Sequence, residues 1–314
     1  MVINKKRISV RSILLSVLIL LTLIPVISGQ INVTSPINGK VYDSTSVLLG
    51  FDSSVKANYY LVKTNDATDG IIVCKNAKAC NSIIKAKEGE NHLWVKRINN
   101  GEIEFSSEIN FIVDSILPKI SKLEVSYLGK AYSNGKDMSV SYSEKDLKKV
   151  ELSYGLEGSS IGNIISTSKL DCESGEKKKC SFSNVNLSGF ENQKIDIWFT
   201  LSDSANKAVS KRQRVIVDTT SPIIERANYS VKGSVVTFSV KVNEKNLKEI
   251  SYKDYSDCYD SGERTGILCT KLNANKNCNM NKNFCAGFHR IVIIAKDLAG
   301  NEASQEFSSV KIDK

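Results

Sequence analysis

Asp137-Met138-Ser139-Val140-Ser141-Tyr142-Ser143-Glu144, running on through Lys145-Asp146-Leu147-Lys148 into Lys149-Val150-Glu151-Leu152, is the stretch that decides the fold. Met138, Val140 and Tyr142 alternate with polar residues. A period of two is what an extended strand with one buried and one wetter face requires. The polar Glu-Lys-Asp segment is a turn, and Val150-Glu151-Leu152 resumes the alternation on a second strand.

One hundred residues later the same pattern returns. Phe238, Val240 and Val242 take the same register, Glu244-Lys245-Asn246-Leu247-Lys248 repeats the turn, and Ile250-Ser251-Tyr252 leaves it. A later alternation, Ile195, Ile197, Phe199 and Leu201, is matched by Ile291, Ile293 and Ala295. Three cysteines each precede a glycine by nine residues: Cys80 and Gly89, Cys180 and Gly189, Cys278 and Gly287. A fixed offset recurring three times means three copies of one structural unit, and this offset aligns the copies. Pro36, Pro118 and Pro222 open them, after Thr34-Ser35, Ile116-Leu117 and Thr220-Ser221. The expected domains are therefore 30–114, 115–218 and 219–314, behind a leader at 1–29. Units of about 85 to 105 residues with several short strands predict all-β sandwiches of about seven strands. No helical periodicity longer than a turn is found outside the leader.

The junction Val217-Asp218-Thr219-Thr220-Ser221-Pro222 and the strand end Ala295-Lys296-Asp297-Leu298-Ala299-Gly300-Asn301 resemble motifs of the immunoglobulin-like repeats in prokaryotic cell-surface and secreted proteins. The resemblance is closest in the third copy. In the second copy Asp203-Ser204-Ala205-Asn206 lacks the glycine, and the first has only Asn99-Asn100-Gly101. It implies a modular extracellular protein of adhesive or spacer type, and carries over no catalytic residues.

The chain has eight cysteines. In an exported protein they predict an oxidising compartment and a disulfide framework. Aligning on the shared glycine pairs Cys74 with Cys80, Cys172 with Cys180 and Cys269 with Cys278, which leaves Cys258 to bridge Cys285. There is no Cys-x2-Cys pair and there are only two histidines, so zinc lacks its usual ligand spacing. Each short cysteine loop carries lysines, among them Lys177, Lys178 and Lys179. A repeated basic loop could meet anionic envelope polymers. The simpler reading, that bridges rigidify exposed loops and lysines keep them soluble, takes precedence.

Trp94 and Trp198 occupy one repeat position, five residues before Asn99 and Asp203, with Val292 in the third copy. If the neighbours of each tryptophan face the core, the indole faces outward, where aromatic residues anchor glycans or protein partners. Outer packing that covers the indole is the alternative, and the commoner case. Asp114, Asp218, Glu144, Glu244, Asp203 and Asp297 lie near strand ends, too sparsely for the six to eight oxygens of a calcium site. Asx turns account for Asp203 and Asp297. His92 and His289 fall at different repeat positions, Asn91 matching His289, so no recurring catalytic constellation emerges. The expectation is no enzyme, no metal and no cofactor. Asn32, Asn186 and Asn228 match the glycosylation pattern.

Lys5, Lys6, Arg7 and Arg11 precede an apolar run from Ile13 to Ile27, then Ser28 and Gly29. A run of about fifteen residues is shorter than the roughly twenty that span a bilayer, so it reads as a cleaved secretory signal. Membrane contact would come only through an uncleaved N-terminal segment. Removing the four basic residues of the leader from 43 leaves 39 Lys plus Arg against 34 Asp plus Glu, a net charge near +5. Scattered lysines without dense clusters exclude a nucleic-acid binder. The function expected is a non-enzymatic exported protein of tandem immunoglobulin-like domains, extracellular or at the cell surface. It would serve adhesion or envelope organisation, with a cell-surface protein or glycan as partner. The alternative is a carbohydrate-binding or accessory module beside a separate enzyme or surface-layer protein.

Overall fold

The computed structural model describes residues 30–313 except 65, 67, 127–130, 160–163, 257, 260 and 261. The leader at 1–29 lies outside the described residues. The chain forms two compact units, one ending at Ser115 and one beginning at Ile116.

The first unit holds β1 (Ile31–Ser35), β2 (Val41–Tyr42), β3 (Ser46–Val62), β4 (Ile71–Lys85), β5 (Gly89–Asn99), β6 (Glu102–Phe105) and β7 (Ile109–Val113). β3 serves both layers. Its first half pairs with β1 and the end of β4, and its second half, from Ala57, pairs with β5 and the start of β4. Two successive strands are thus fused into one 17-residue strand, which bends where the register shifts between Asp52 and Ala57. β7 closes on β5 antiparallel and on β2 in parallel. Val47, Leu49, Phe51, Tyr59, Leu61, Leu93, Val95 and Phe111 fill the space between the layers. Tyr59 is fully buried, and its hydroxyl donates to the Val55 carbonyl at 2.6 Å, which satisfies its one polar atom.

The second unit contains two separate cores. Around the first are β8 (Lys119–Glu124), β9 (Tyr132–Ser133), β10 (Asp137–Glu144), β11 (Lys149–Leu156), β12 (Ile165–Lys169), β13 (Gly175–Ser183), β14 (Lys194–Ser202), β15 (Lys207–Val209) and β16 (Gln213–Val217). One sheet runs β13-β10-β8 and the other β12-β11-β14-β16-β9, with β15 paired beside β14. Around the second core are β17 (Ile223–Lys232), β18 (Val235–Asn243), β19 (Leu247–Asp254), β20 (Arg264–Cys269), β21 (Asn277–Asn283), β22 (Gly287–Asp297) and β23 (Glu302–Ile312). Its sheets run β17-β18-β21 and β20-β19-β22-β23. In both, the first, second and fifth long strands form one layer and the rest form the other, the Greek-key order of an immunoglobulin-like sandwich.

The alternating residues face inward as their period requires. Val140, Tyr142, Leu152, Ile197, Phe199, Phe238, Val240, Ile250 and Ile293 are all fully buried. Truncating such a ring, Phe199 to Ala for example, costs about 3–5 kcal/mol. The boundary expected at Asp218/Thr219 lies between the two separate cores of the second unit, and hydrogen bonds join those cores across it. One sequence expectation meets a different structure: the cysteine-to-glycine offset misaligns the second copy. Gly89 and Gly287 open β5 and β22, whereas Gly189 lies in a 3-10 turn (Ser188–Phe190) ahead of β14. The second copy has extra residues here, and Leu187, 1% exposed, anchors them on the core.

Candidate functional sites

Cys80, Cys180 and Cys278 occupy one structural position, opposite Phe51, Val140 and Val240 on the neighbouring strand of their sheet. All three are buried. Cys269 lies on, and Cys172 just beyond, the edge strand of the opposite sheet, while Cys74 lies at the start of β4 itself, opposite Tyr59 in the second half of β3; the bonds are Cys74–Cys80, Cys172–Cys180 and Cys269–Cys278. Each bond therefore staples the two layers at the corner where the chain passes between them. The corner is tight enough to put Asn76, Lys177 and Lys276 in the left-handed region, with φ of 49°, 52° and 58°. The fourth bond, Cys258–Cys285, has no counterpart in the other copies. No cysteine among the described residues is free.

The basic corner of the second copy is largely neutralised. Lys178 pairs with Glu173 and Lys179 with Glu124, both at 2.6 Å. Lys122 and Ser139 also donate to Glu124, which holds its carboxyl at a pKa of about 2; the ammonium groups are the main cause. Lys177 is exposed, and its backbone N–H donates to Ser143 Oγ at 3.1 Å.

Both tryptophans face away from their cores, since Leu93 and Val95 flank Trp94 and Ile197 and Phe199 flank Trp198 as buried residues. Both are half-buried. The Arg212 guanidinium lies 4.4 Å from the Trp198 ring centroid, a cation–π stack. Nearby, Arg214 bonds Asp196 at 3.1 Å and Glu157 at 2.7 Å, and the Ser153 and Ser166 hydroxyls meet at 2.9 Å. Trp94 shares its face with Lys96, whose ammonium lies 5.4 Å from the Tyr60 ring centroid and donates to the Asp69 carbonyl. Lys96 is only 3% exposed, so the chain at Asp69 covers this part of the sheet. The outward position follows from alternation; the covering groups come from distant segments and leave no local signal.

A buried polar cluster in the second unit was not visible as a cluster in the sequence. His289 Nδ1 meets Asp254 Oδ2 at 2.8 Å, and His289 Nε2 meets the Cys285 carbonyl at 2.9 Å. Asp254 and His289 have essentially no exposure. Ser256 donates to Asp254 Oδ2 at 3.1 Å, while Asp254 Oδ1 is buried without a hydrogen-bond partner. Serine, histidine and aspartate suggest a hydrolase triad, but the geometry is wrong for one. The serine bonds the carboxylate rather than the imidazole, and a backbone carbonyl occupies the nitrogen a nucleophile would need. The Sγ atoms of Cys258 and Cys285 and a ring nitrogen of His289 all lie within 4.8 Å of one another.

A second polar cluster joins the two cores of this unit. Asn301 Nδ2 donates to the Asp218 carbonyl and to Asp297 Oδ2, each at 2.8 Å. Asn134 Nδ2 donates to Asn301 Oδ1 at 3.2 Å, and Asn246 Nδ2 donates to Asp218 Oδ2 at 3.0 Å. Glu191 accepts from the Thr219 N–H and hydroxyl and from the Thr220 hydroxyl. Burial is the main cause that raises the pKa of Asp297, with Asp218 adding repulsion; Glu244 is raised by burial and by both aspartates. Asp203 also closes an Asx turn, accepting from the Ala205 N–H at 2.7 Å, and Asp297 accepts from the Asn301 N–H, four residues on, at 2.8 Å.

No protein-family model and no curated protein matches the chain. Among solved structures it is similar to the FN1-FN3 domains of chicken CNTN1, at 9% identity and a TM-score of 0.43 over 90% of this chain and 99% of that one. It is similar to a tetra-tandem repeat in the extending region of a large adhesion protein, at 12% identity and a TM-score of 0.30 over 91% and 74%. A marsupial T cell receptor gives 11% identity and a TM-score of 0.36 over 89% and 100%. By its own sheet order and register, the chain is an all-β protein built of immunoglobulin-like sandwiches.

Proposed function

We propose that the chain is an exported, non-enzymatic protein of three tandem immunoglobulin-like domains, 30–114, 115–218 and 219–314, acting at the cell surface in adhesion or envelope organisation. The observation that carries this reading is the layer-to-layer bond repeated at one register in all three cores. Such a set of structural bonds persists in an oxidising compartment and is rare in a reducing one. The leader agrees with that destination. The stack of Arg212 on Trp198 favours an indole that holds its own sheet together over one that stacks on a sugar. On this reading the partner accordingly meets exposed strand faces rather than a pocket.

The test is binding of oxidised residues 30–314 to intact cells and isolated envelope of the source organism, with Trp94→Ala/Trp198→Ala alongside. Saturable binding by both proteins supports a surface protein whose partner does not need the indoles. Binding lost in the variant returns the glycan-module reading, and no binding by either protein removes the adhesive role.

A further inference from the structure

We infer that Cys258, Cys285 and His289 form a second, reduced-state site, in which two thiolates and an imidazole bind a soft divalent cation of the zinc class once the Cys258–Cys285 bond is opened by a dithiol.

Three independent features of the structure lead there. The first is proximity: the three ligand atoms lie within 4.8 Å of one another. Tetrahedral Zn–S and Zn–N bonds of about 2.3 and 2.1 Å put ligand atoms roughly 3.5–3.8 Å apart, within reach of small side-chain movements. The second is orientation. Asp254 holds His289 by Nδ1 at 2.8 Å and so turns Nε2 toward Cys285. A carboxylate on the far nitrogen is the usual support of a metal-bound histidine. The third is access. Cys80, Cys180 and Cys278 each bury one sulfur of their bond in a core, whereas Cys258 is exposed and Cys285 is half-buried. Exposed disulfides are the labile ones.

The step balances without an unnamed reagent. One thiolate of the dithiol attacks Cys258 Sγ, the S–S bond breaks, and Cys285 leaves as a thiolate. The second thiol then displaces Cys258 and the reductant departs as a cyclic disulfide, having supplied two electrons. On metal binding both cysteines are deprotonated and their two negative charges neutralise the cation. His289 Nε2 exchanges the Cys285 carbonyl for the ion and supplies its lone pair, and any proton on Nε2 goes to solvent. The cation thus replaces the cross-link that reduction removes. Ser256, whose hydroxyl is 3.3 Å from Cys258 Sγ, or a water would supply the fourth ligand.

The experiment uses residues 30–314, limiting dithiothreitol and Co2+ as the probe. Alkylation and peptide mapping should find Cys258 and Cys285 modified first. Co2+ should then bind with one equivalent per chain and a thiolate-to-cobalt charge-transfer band, displaced by Zn2+. Cys258→Ser/Cys285→Ser should abolish the band, and Asp254→Asn, acting through the histidine, should weaken binding roughly 10–100-fold. First opening at another pair overturns the proposal, as does a folded reduced protein without the band or an equal band in the double serine variant. If reduction loosens the fold, Zn2+ should restore the near-ultraviolet circular dichroism of the wild type only; failure to restore it also refutes the site.

Discussion

At the residue scale the structure turns on a few contacts that no periodicity announces. A Cβ added at Gly266 would lie 2.6 Å from the Tyr252 ring, and that ring is packed in the third core. Gly266→Ala should therefore destabilise the second unit by about 1–3 kcal/mol as the overpacked ring moves, measured by urea unfolding. Asn301 is 2% exposed and bonds two acceptors. Asn301→Ala should cost about 1–3 kcal/mol for each acceptor left buried without a donor, again in urea, and Asn301→Asp should not restore the loss. The inward residues were legible in the sequence because alternation is local: Val140, Phe199 and Ile293 each sit where a period of two puts them. His289 and Asp254 were not. They lie 35 residues apart, on strands whose pairing is a tertiary fact, so the cluster they form with Ser256, Cys258 and Cys285 leaves no local pattern. The lysines of the second corner were read as charge; two of the three prove to be held by Glu124 and Glu173.

At the scale of elements, the layer-to-layer bonds are the most regular feature. Each closes a short loop, the joined cysteines lying 6, 8 and 9 positions apart in sequence. Cys172→Ser/Cys180→Ser should lower stability by about 2–3 kcal/mol, the loop-closure entropy returned to the unfolded chain, as read from the unfolding midpoint of the second unit. Strand existence was legible throughout, since turns with glycine, asparagine or lysine interrupt the alternation. Strand continuity was not. β3 passes from one layer to the other without a turn, because residues 53–56 stay extended while their register slips, and nothing in Ser53-Ser54-Val55-Lys56 marks the crossing. The 3-10 turn at Ser188–Phe190 escaped notice for the opposite reason, a glycine at the expected offset doing another job.

At the scale of the whole molecule, the joint between the two cores of the second unit responds to pH. Asp297 and Glu244 have raised pKa values in the fold, so between the unfolded and folded values the folded state binds more protons. Stability then falls as pH rises through that window and recovers as pH falls through it toward 4.5 and 3.8, the ordinary values of the two groups. The second unit should melt higher on mild acidification from neutrality, and Asp297→Asn should flatten that rise in a calorimetric pH series. Glu124 works in the opposite sense, its contribution lost only as pH drops toward about 2. A last consequence follows from two small ladders. β2 lies parallel to β7 through Val41–Ile112 and Tyr42–Val113, and β9 lies parallel to β16 through Tyr132–Ile216 and Ser133–Val217. Tension on the chain drags parallel neighbours in opposite directions, so their bonds must shear together instead of unzipping singly. Among the described residues the third core has no such ladder, β17 pairing only with antiparallel β18. Stretched end to end, this core should yield at the lowest force and extend only as far as its two cross-links allow, the mechanical fuse of the chain.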